Sequence, residues 1–122
     1  MQNKKLSIIL TKMLEIYVRW VVETKNLKKI HRYSLGIKVE KIFDDIIELI
    51  SEAQFAENER QFILINQSST KIDVLKFMFY VLLELKEIDY KKCEDFTLQL
   101  EEIGRMLYGW KNRIISKMKD KN

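Results

Sequence analysis

The 122-residue chain has no proline, three glycines, one cysteine and one histidine, and each scarcity excludes something. Without proline, and with so little glycine, the chain lacks the turn chemistry that a many-stranded β fold needs at each reversal. The lone cysteine, Cys93, cannot close an internal disulfide, which fits a reducing cytoplasm. The lone histidine, His31, cannot supply the paired Glu-x-x-His motifs with which helical bundles hold bridged metals. No apolar run approaches the roughly 20 residues that cross a bilayer. The start, Met1-Gln2-Asn3-Lys4-Lys5, leads into a short apolar stretch that Lys12 interrupts, so neither a signal peptide nor a membrane span is expected. A phosphate-cradling glycine loop is missing too.

What is present is helical material. Hydrophobic residues make up 47% of the chain and charged residues 33%, enough for one all-α domain over residues 1–122 that buries its own core. Apolar residues recur every three or four positions, as a single buried stripe requires. A first helix is predicted from about Lys5 to Lys25, with Leu6, Ile9, Met13, Ile16 and Trp20 on its inner seam. A loop over Asn26 to Arg32, carrying His31, leads to a second helix beginning near Ser34, whose hydroxyl is placed to cap it. That helix buries Leu35, Val39, Ile42, Ile46, Leu49, Ala53 and Ala56 and breaks near Glu57-Asn58.

Composition and periodicity disagree over Asn66-Gln67-Ser68-Ser69-Thr70, which reads as a loop by residue type. The series Phe62, Ile65, Ser69, Ile72, Lys76, Phe79 and Leu83 keeps one phase through it, so one helix is predicted from about Asn58 to Glu87. After a turn at Ile88-Asp89-Tyr90, a fourth helix carries Cys93, Phe96, Leu100, Ile103, Leu107, Trp110 and Ile114 at heptad spacing. Four helices with short connections predict an up-down-up-down antiparallel bundle.

Charge is unevenly distributed. Residues 1 to 33 hold eight Lys or Arg against two Glu, net +6, whereas residues 34 to 65 hold three against seven, net −4. A second basic cluster closes the chain with Lys111, Arg113, Lys117, Lys119 and Lys121. Lys5, Lys12 and Arg19, spaced by seven, form one row along the first helix, and Lys25, Lys28, Lys29 and Arg32 continue it through the loop. Such rows either follow a phosphate backbone or form a solvated flank that keeps the seam inward. Any nucleic-acid binding would be electrostatic and salt-sensitive, without sequence readout, because no recognition motif is visible. A Lys12→Glu, Arg19→Glu double change is expected to weaken it with little loss of stability.

Two of the three glycines lie in the last helix, in Glu101-Glu102-Ile103-Gly104-Arg105-Met106-Leu107-Tyr108-Gly109-Trp110. An interior helical glycine costs about 1 kcal/mol relative to alanine, so each calls for a close neighbour. Five residues apart, they are separated by about 140° around the axis and answer to different neighbours. Gly104 is assigned to packing within the bundle, and Gly109 to a contact between subunits. Arg105 is open to an ion pair with Glu101, a subunit contact or a phosphate contact. Trp20 and Trp110, on the seams, are core residues. The acidic row Glu40, Asp44, Glu48 and Glu52 is a solvated face or the partner of a basic one, and Cys93 is a small buried hydrophobe.

This same run, together with His31-Arg32-Tyr33-Ser34-Leu35-Gly36, resembles the four-helix-bundle family of the Avd accessory proteins of diversity-generating retroelements. Related members are encoded in intervening sequences of bacterial ribosomal RNA genes. The likeness runs from the first helix to Trp110. It implies a homo-oligomeric, pentameric ring with a basic surface that binds RNA or DNA and, in retroelements, the reverse transcriptase. It also implies an accessory subunit without chemistry, cofactor or metal. The reading is therefore a non-enzymatic, cytoplasmic nucleic-acid-binding protein, with Lys5, Lys12, Arg19, Lys25, Lys28, Lys29, Arg32, Lys111, Arg113 and Lys117 as contacts and Arg105 and Gly109 at interfaces. The alternatives are a ribosomal RNA intervening-sequence protein and a purely structural interaction module.

Overall fold

In the computed structural model, which describes residues 4–120 and their side chains from Ser7 onward, all regular structure is helical. Helix α1 spans Lys4–Glu23 and runs into a 3₁₀ turn at Thr24–Asn26, α2 is the single turn Lys29–Arg32, and α3 spans Leu35–Ala53. Helices α4 (Asn58–Glu84) and α5 (Tyr90–Asp120) complete the chain. The four long helices pack together, α1 against α3 and α5, and α4 against α3 and α5.

The predicted seams of α1 and α5 lie in the core. Ile9, Met13, Ile16 and Trp20 are buried, as are Cys93, Phe96, Leu100, Ile103, Leu107, Trp110 and Ile114; Leu6 lies outside the described side chains. At the centre the Trp20 indole meets Phe79 edge-on at 5.5 Å, and Phe79 stacks on Phe96 at 4.5 Å. Burying such rings contributes roughly 2–3 kcal/mol each through area alone, and their offset geometry adds to it.

The buried stripe of α3 is turned from the predicted one. Val39, Ile42, Ile46 and Ala53 are buried, but Phe43 and Ile50 join them, while Leu35, Leu49 and Ala56 are only half-buried. Phe43 is drawn inward by stacking against Tyr17 of α1 at 5.1 Å. Helix α3 ends at Ala53, four residues before the predicted break, where Gln54 Nε2 donates to Ser7 Oγ at 2.7 Å. Ser34 precedes α3 without capping it. Its hydroxyl instead donates back to the Ile30 carbonyl at 2.8 Å, one turn earlier.

Helix α4 runs unbroken through residues 66–70. The polar residues that imitate a loop are satisfied inside the helix, Ser68 Oγ donating to Leu64 O at 2.8 Å and Thr70 Oγ1 to Asn66 O at 3.2 Å. Ser68 is small enough to be fully buried. Helix α4 stops at Glu84, three residues short of the prediction, because Lys86 adopts a left-handed φ of 62°. The amide of Glu87 then reaches back to Leu82 O and that of Lys86 to Leu83 O, both at 2.9 Å, the double reversal of a Schellman motif. Asp89 Oδ1 accepts the Lys92 amide at 2.8 Å and so caps the start of α5.

Candidate nucleic-acid interface

The segment between α1 and α3 is an elbow held from within. Leu27 is buried and anchors it to the core. Arg32 folds its guanidinium back over the end of α1, where Nε donates to Thr24 O at 3.1 Å and Nη2 to Lys25 O at 3.0 Å and Leu27 O at 3.3 Å. Thr24 O also accepts the Leu27 amide at 3.2 Å, so Arg32 adds a charged donor to carbonyls at a helix terminus, where a cation is favoured by the macrodipole. Arg32, a predicted phosphate contact, is thus committed to the fold.

His31, expected in a loop, lies on α2, because residues 28–33 close a helical turn with the Arg32 amide donating to Lys28 O at 2.8 Å. Its Nδ1 stands 3.3 Å from Glu87 Oε2 without hydrogen-bond alignment. The same carboxylate oxygen accepts the backbone amide of Lys28 at 2.8 Å, across 59 residues of sequence. The Glu87 side chain is almost wholly buried, 3% of it exposed, although the residue as a whole is only partly buried. It therefore ties the α1–α3 elbow to the α4–α5 turn and sets both at one end of the bundle.

On this frame the predicted basic residues separate into three groups. Lys12 pairs with Glu102 of α5 at 3.2 Å, and the Arg19 guanidinium lies over the Phe96 ring at 5.1 Å. The α1 row therefore faces α5, and a phosphate approaching Lys12 would meet Glu102 as well. Lys5 lies outside the described side chains. Lys25, Lys28 and Lys29, by contrast, are exposed and form no ion pair with any described residue.

The third group is at the far end of α5. Lys111 reaches Asn66 Oδ1 at 3.3 Å and lies 5.8 Å from the Phe62 ring, while Arg113 and Lys117 flank Trp110 at 5.9 and 5.6 Å. All three keep their charge without a carboxylate partner, but they cover aromatic surface as well as facing solvent. Lys121 lies outside the described residues.

Sequence reading misses two cations, Lys86 and Lys91. Both are exposed and unpaired, Lys86 in the turn that Glu87 fastens to the elbow and Lys91 in the first turn of α5 that follows it. No local pattern announces them, since their membership depends on a contact made 59 residues away. Of the carboxylates at this end, Glu23 pairs with Lys92 at 3.1 Å, the Glu87 side chain is buried and Asp89 caps α5, whereas Glu94 and Asp95, three and four residues after Lys91, form no ion pair with any described residue. Glu84 is exposed and unpaired.

The acidic row of α3 meets no basic row of α1. Glu52 pairs with Arg60 of α4, and Glu40, Asp44 and Glu48 are exposed without an ion partner. Their neighbour Asp45 binds Lys41 at 2.8 Å and Lys71 at 3.2 Å, hydrogen bonds that hold its carboxyl below the usual range. Loss of water, followed by the nearby Asp44 carboxylate, pushes the Tyr17 phenol up to about 12.

Arg105 makes no ion pair with Glu101 or any other described residue. It borders an open groove between α4 and α5, together with Asp73, Lys76, Glu101, Gly104 and Tyr108. A methyl group on Gly104 would sit 3.9 Å from Ile72 Cγ2, an ordinary contact, so helix packing does not require glycine there. Gly109 has nothing within 4 Å of such a methyl and is open to solvent.

Burial raises the Cys93 thiol above its ordinary value, and the sulfur contacts Phe79 O at 3.6 Å. Among the described residues no three His, Cys, Asp or Glu side chains are placed to hold a metal ion. No helix among them is long and apolar enough to cross a membrane.

No family model and no curated protein matches the chain. Among solved structures, its fold is similar to that of a protein of unknown function from the S23 ribosomal protein family of Bacteroides thetaiotaomicron. The two superpose with a TM-score of 0.79 over 88% of this chain and 98% of the other, at 19% sequence identity. At that identity the likeness establishes a shared helical-bundle fold.

Proposed function

We propose that this chain is a non-catalytic accessory protein of the cytoplasm that binds RNA or DNA electrostatically through the basic end of its bundle. The observation that carries the reading is the exposure of Lys25, Lys28 and Lys29 without acidic partners on a rigidly fastened elbow. Unpaired ammonium groups release condensed counterions from a polyanion at no cost in broken ion pairs, whereas Lys12 would first have to leave Glu102. In the fuller form of the proposal, up-down-up-down antiparallel bundles assemble into a homopentameric ring. That ring serves a diversity-generating retroelement by holding its reverse transcriptase on the template RNA or nascent DNA. Contacts pairing Tyr17 with Phe43, Glu52 with Arg60 and Cys93 with Phe79 support the antiparallel order, and open space around Gly109 leaves room for a neighbour.

Anisotropy titrations with random-sequence RNA and DNA at two salt concentrations test the binding. Three phosphate contacts predict a loss of roughly 20- to 40-fold in affinity between about 50 and 200 mM salt. Absence of binding at low salt would sink the proposal, and salt-insensitive binding would sink its electrostatic mechanism. Light scattering tests the assembly, since Gly109→Leu should change the oligomer size if Gly109 lies at a subunit contact.

A second reading, a bundle protein encoded within a ribosomal RNA intervening sequence, is favoured by the likeness to the S23-family structure. Gene context distinguishes the two, a neighbouring reverse transcriptase gene against a reading frame inside a ribosomal RNA insertion. A purely structural module would bind no nucleic acid under either salt condition.

A further inference from the structure

The basic end carries more than charge. Tyr33 follows Lys29 by one helical turn, its amide donating to Lys29 O at 3.2 Å, and the residue is 62% exposed. Ile30 beside it is 74% exposed and Ile37, at the start of α3, 55%. No described aromatic ring packs on Tyr33 and no hydrogen bond engages its hydroxyl, so nothing in the fold accounts for a large ring at this place. Its backbone is nevertheless held, because Arg32 on one side bonds the carbonyls at the end of α1 and Ser34 on the other bonds Ile30 O one turn earlier.

We propose that this end of the bundle is a single-strand-selective site, in which Tyr33 stacks on an unpaired base while Lys25, Lys28, Lys29, Lys86 and Lys91 hold the flanking phosphates. The inference rests on the nucleic-acid reading above and adds a preference that electrostatics alone does not produce. A duplex offers phosphates to the lysines but keeps its base faces stacked inside the helix. A single strand offers both, and every base has a face that an exposed ring can cover without reading its identity. Two segments contribute cations, one the elbow and the other the α4–α5 turn with the first turn of α5, so a flexible strand can pass between them where Glu87 joins them. Charge complementarity selects the occupant. Five unpaired lysines share this end of the bundle with three exposed apolar side chains, too little apolar surface for stable insertion into a bilayer and a suitable amount for one or two bases.

The test uses the full chain and two fluorescein-labelled probes, an oligo-deoxythymidine of about 20 nucleotides and a duplex of the same length. Wild-type protein should bind the single strand more tightly than the duplex. Tyr33→Ala should weaken single-strand binding by about tenfold and duplex binding by less than about twofold, and Tyr33→Trp should restore the preference. Lys86→Glu with Lys91→Glu should weaken both probes and steepen neither salt response. Because Tyr33 is exposed, its melting temperature serves as a control and should stay put.

If the wild type binds both probes equally and Tyr33→Ala changes neither, the single-strand site is overturned while the electrostatic reading stands. If neither probe binds at low salt, both fall. Binding to phosphatidylserine vesicles in place of either probe would also overturn the proposal and assign the patch to a lipid surface.

Discussion

Arg32 and Lys28 are four residues apart in one basic run, yet the fold uses them in opposite ways. Arg32 spends its guanidinium on three backbone carbonyls at the end of α1 and its 3₁₀ extension. Lys28 gives the fold only its backbone, the amide to Glu87 and the carbonyl to the turn of α2, and leaves its ammonium in water. The chemistry explains the division: a planar fork with five donors satisfies several acceptors at once, while a lysine ammonium is a strongly hydrated point charge that loses more by burial. A basic cluster read from sequence is therefore a mixture of fasteners and free charges, and only the second kind can be offered to a ligand.

The strongest way to break this comparison is to reverse the free charges. Changing Lys25, Lys28 and Lys29 together to Glu should lower nucleic-acid affinity by about 100-fold in anisotropy titrations, with little change in the urea midpoint. Loss of stability without loss of binding would show that these residues are fasteners too. Arg32→Ala should show the converse, costing about 2 kcal/mol in urea denaturation because partly buried carbonyls lose a charged donor. Arg32→Lys should recover only part of that loss, since one ammonium cannot reach all three carbonyls.

Smaller effects sharpen the same distinction. With Lys12 paired to Glu102 and Arg19 lying over Phe96, the Lys12→Glu, Arg19→Glu double variant should weaken binding by no more than about threefold and cost about 1 kcal/mol. Sequence alone suggests the reverse ranking. Asp45 links two further committed cations, and its folded pKa is depressed by Lys41 and Lys71. Its contribution to stability is present above the ordinary carboxylate range and disappears as pH falls through the lowered folded value. Asp45→Asn should therefore flatten the acid limb of a melting-temperature profile. Gly104→Ala should raise stability by about 0.5–1 kcal/mol, because its new methyl finds ordinary contact with Ile72 and the helix loses a flexible residue.

Much of the bundle was legible because burial along α1 and α5 obeys a single period. Met13 and Trp20, like Leu100 and Leu107, fall on seams that the spacing alone identifies. Phase also outweighed composition in α4, where Ser68 and Thr70 back-bond to their own helix. Helix ends were less legible, because the stop after Glu84 depends on Lys86 accepting a left-handed backbone that favours glycine. Phe43 was missed because its burial is decided by Tyr17 on another helix. The site was the least legible part. Whether a lysine is free depends on what lies across the bundle, and neither the pairing of Lys12 with Glu102 nor the arrival of Lys86 beside the elbow leaves a trace in local spacing.

The Glu87 tie also has a consequence for hydrogen exchange. The Lys28 amide lies outside every helical ladder, and its acceptor is a carboxylate belonging to a turn 59 residues away. It can exchange with solvent only when the two turns part, whatever the state of the helices around them. A single backbone amide is thus a clock for opening of one end of the molecule, and its protection against deuterium would report that motion separately from global unfolding.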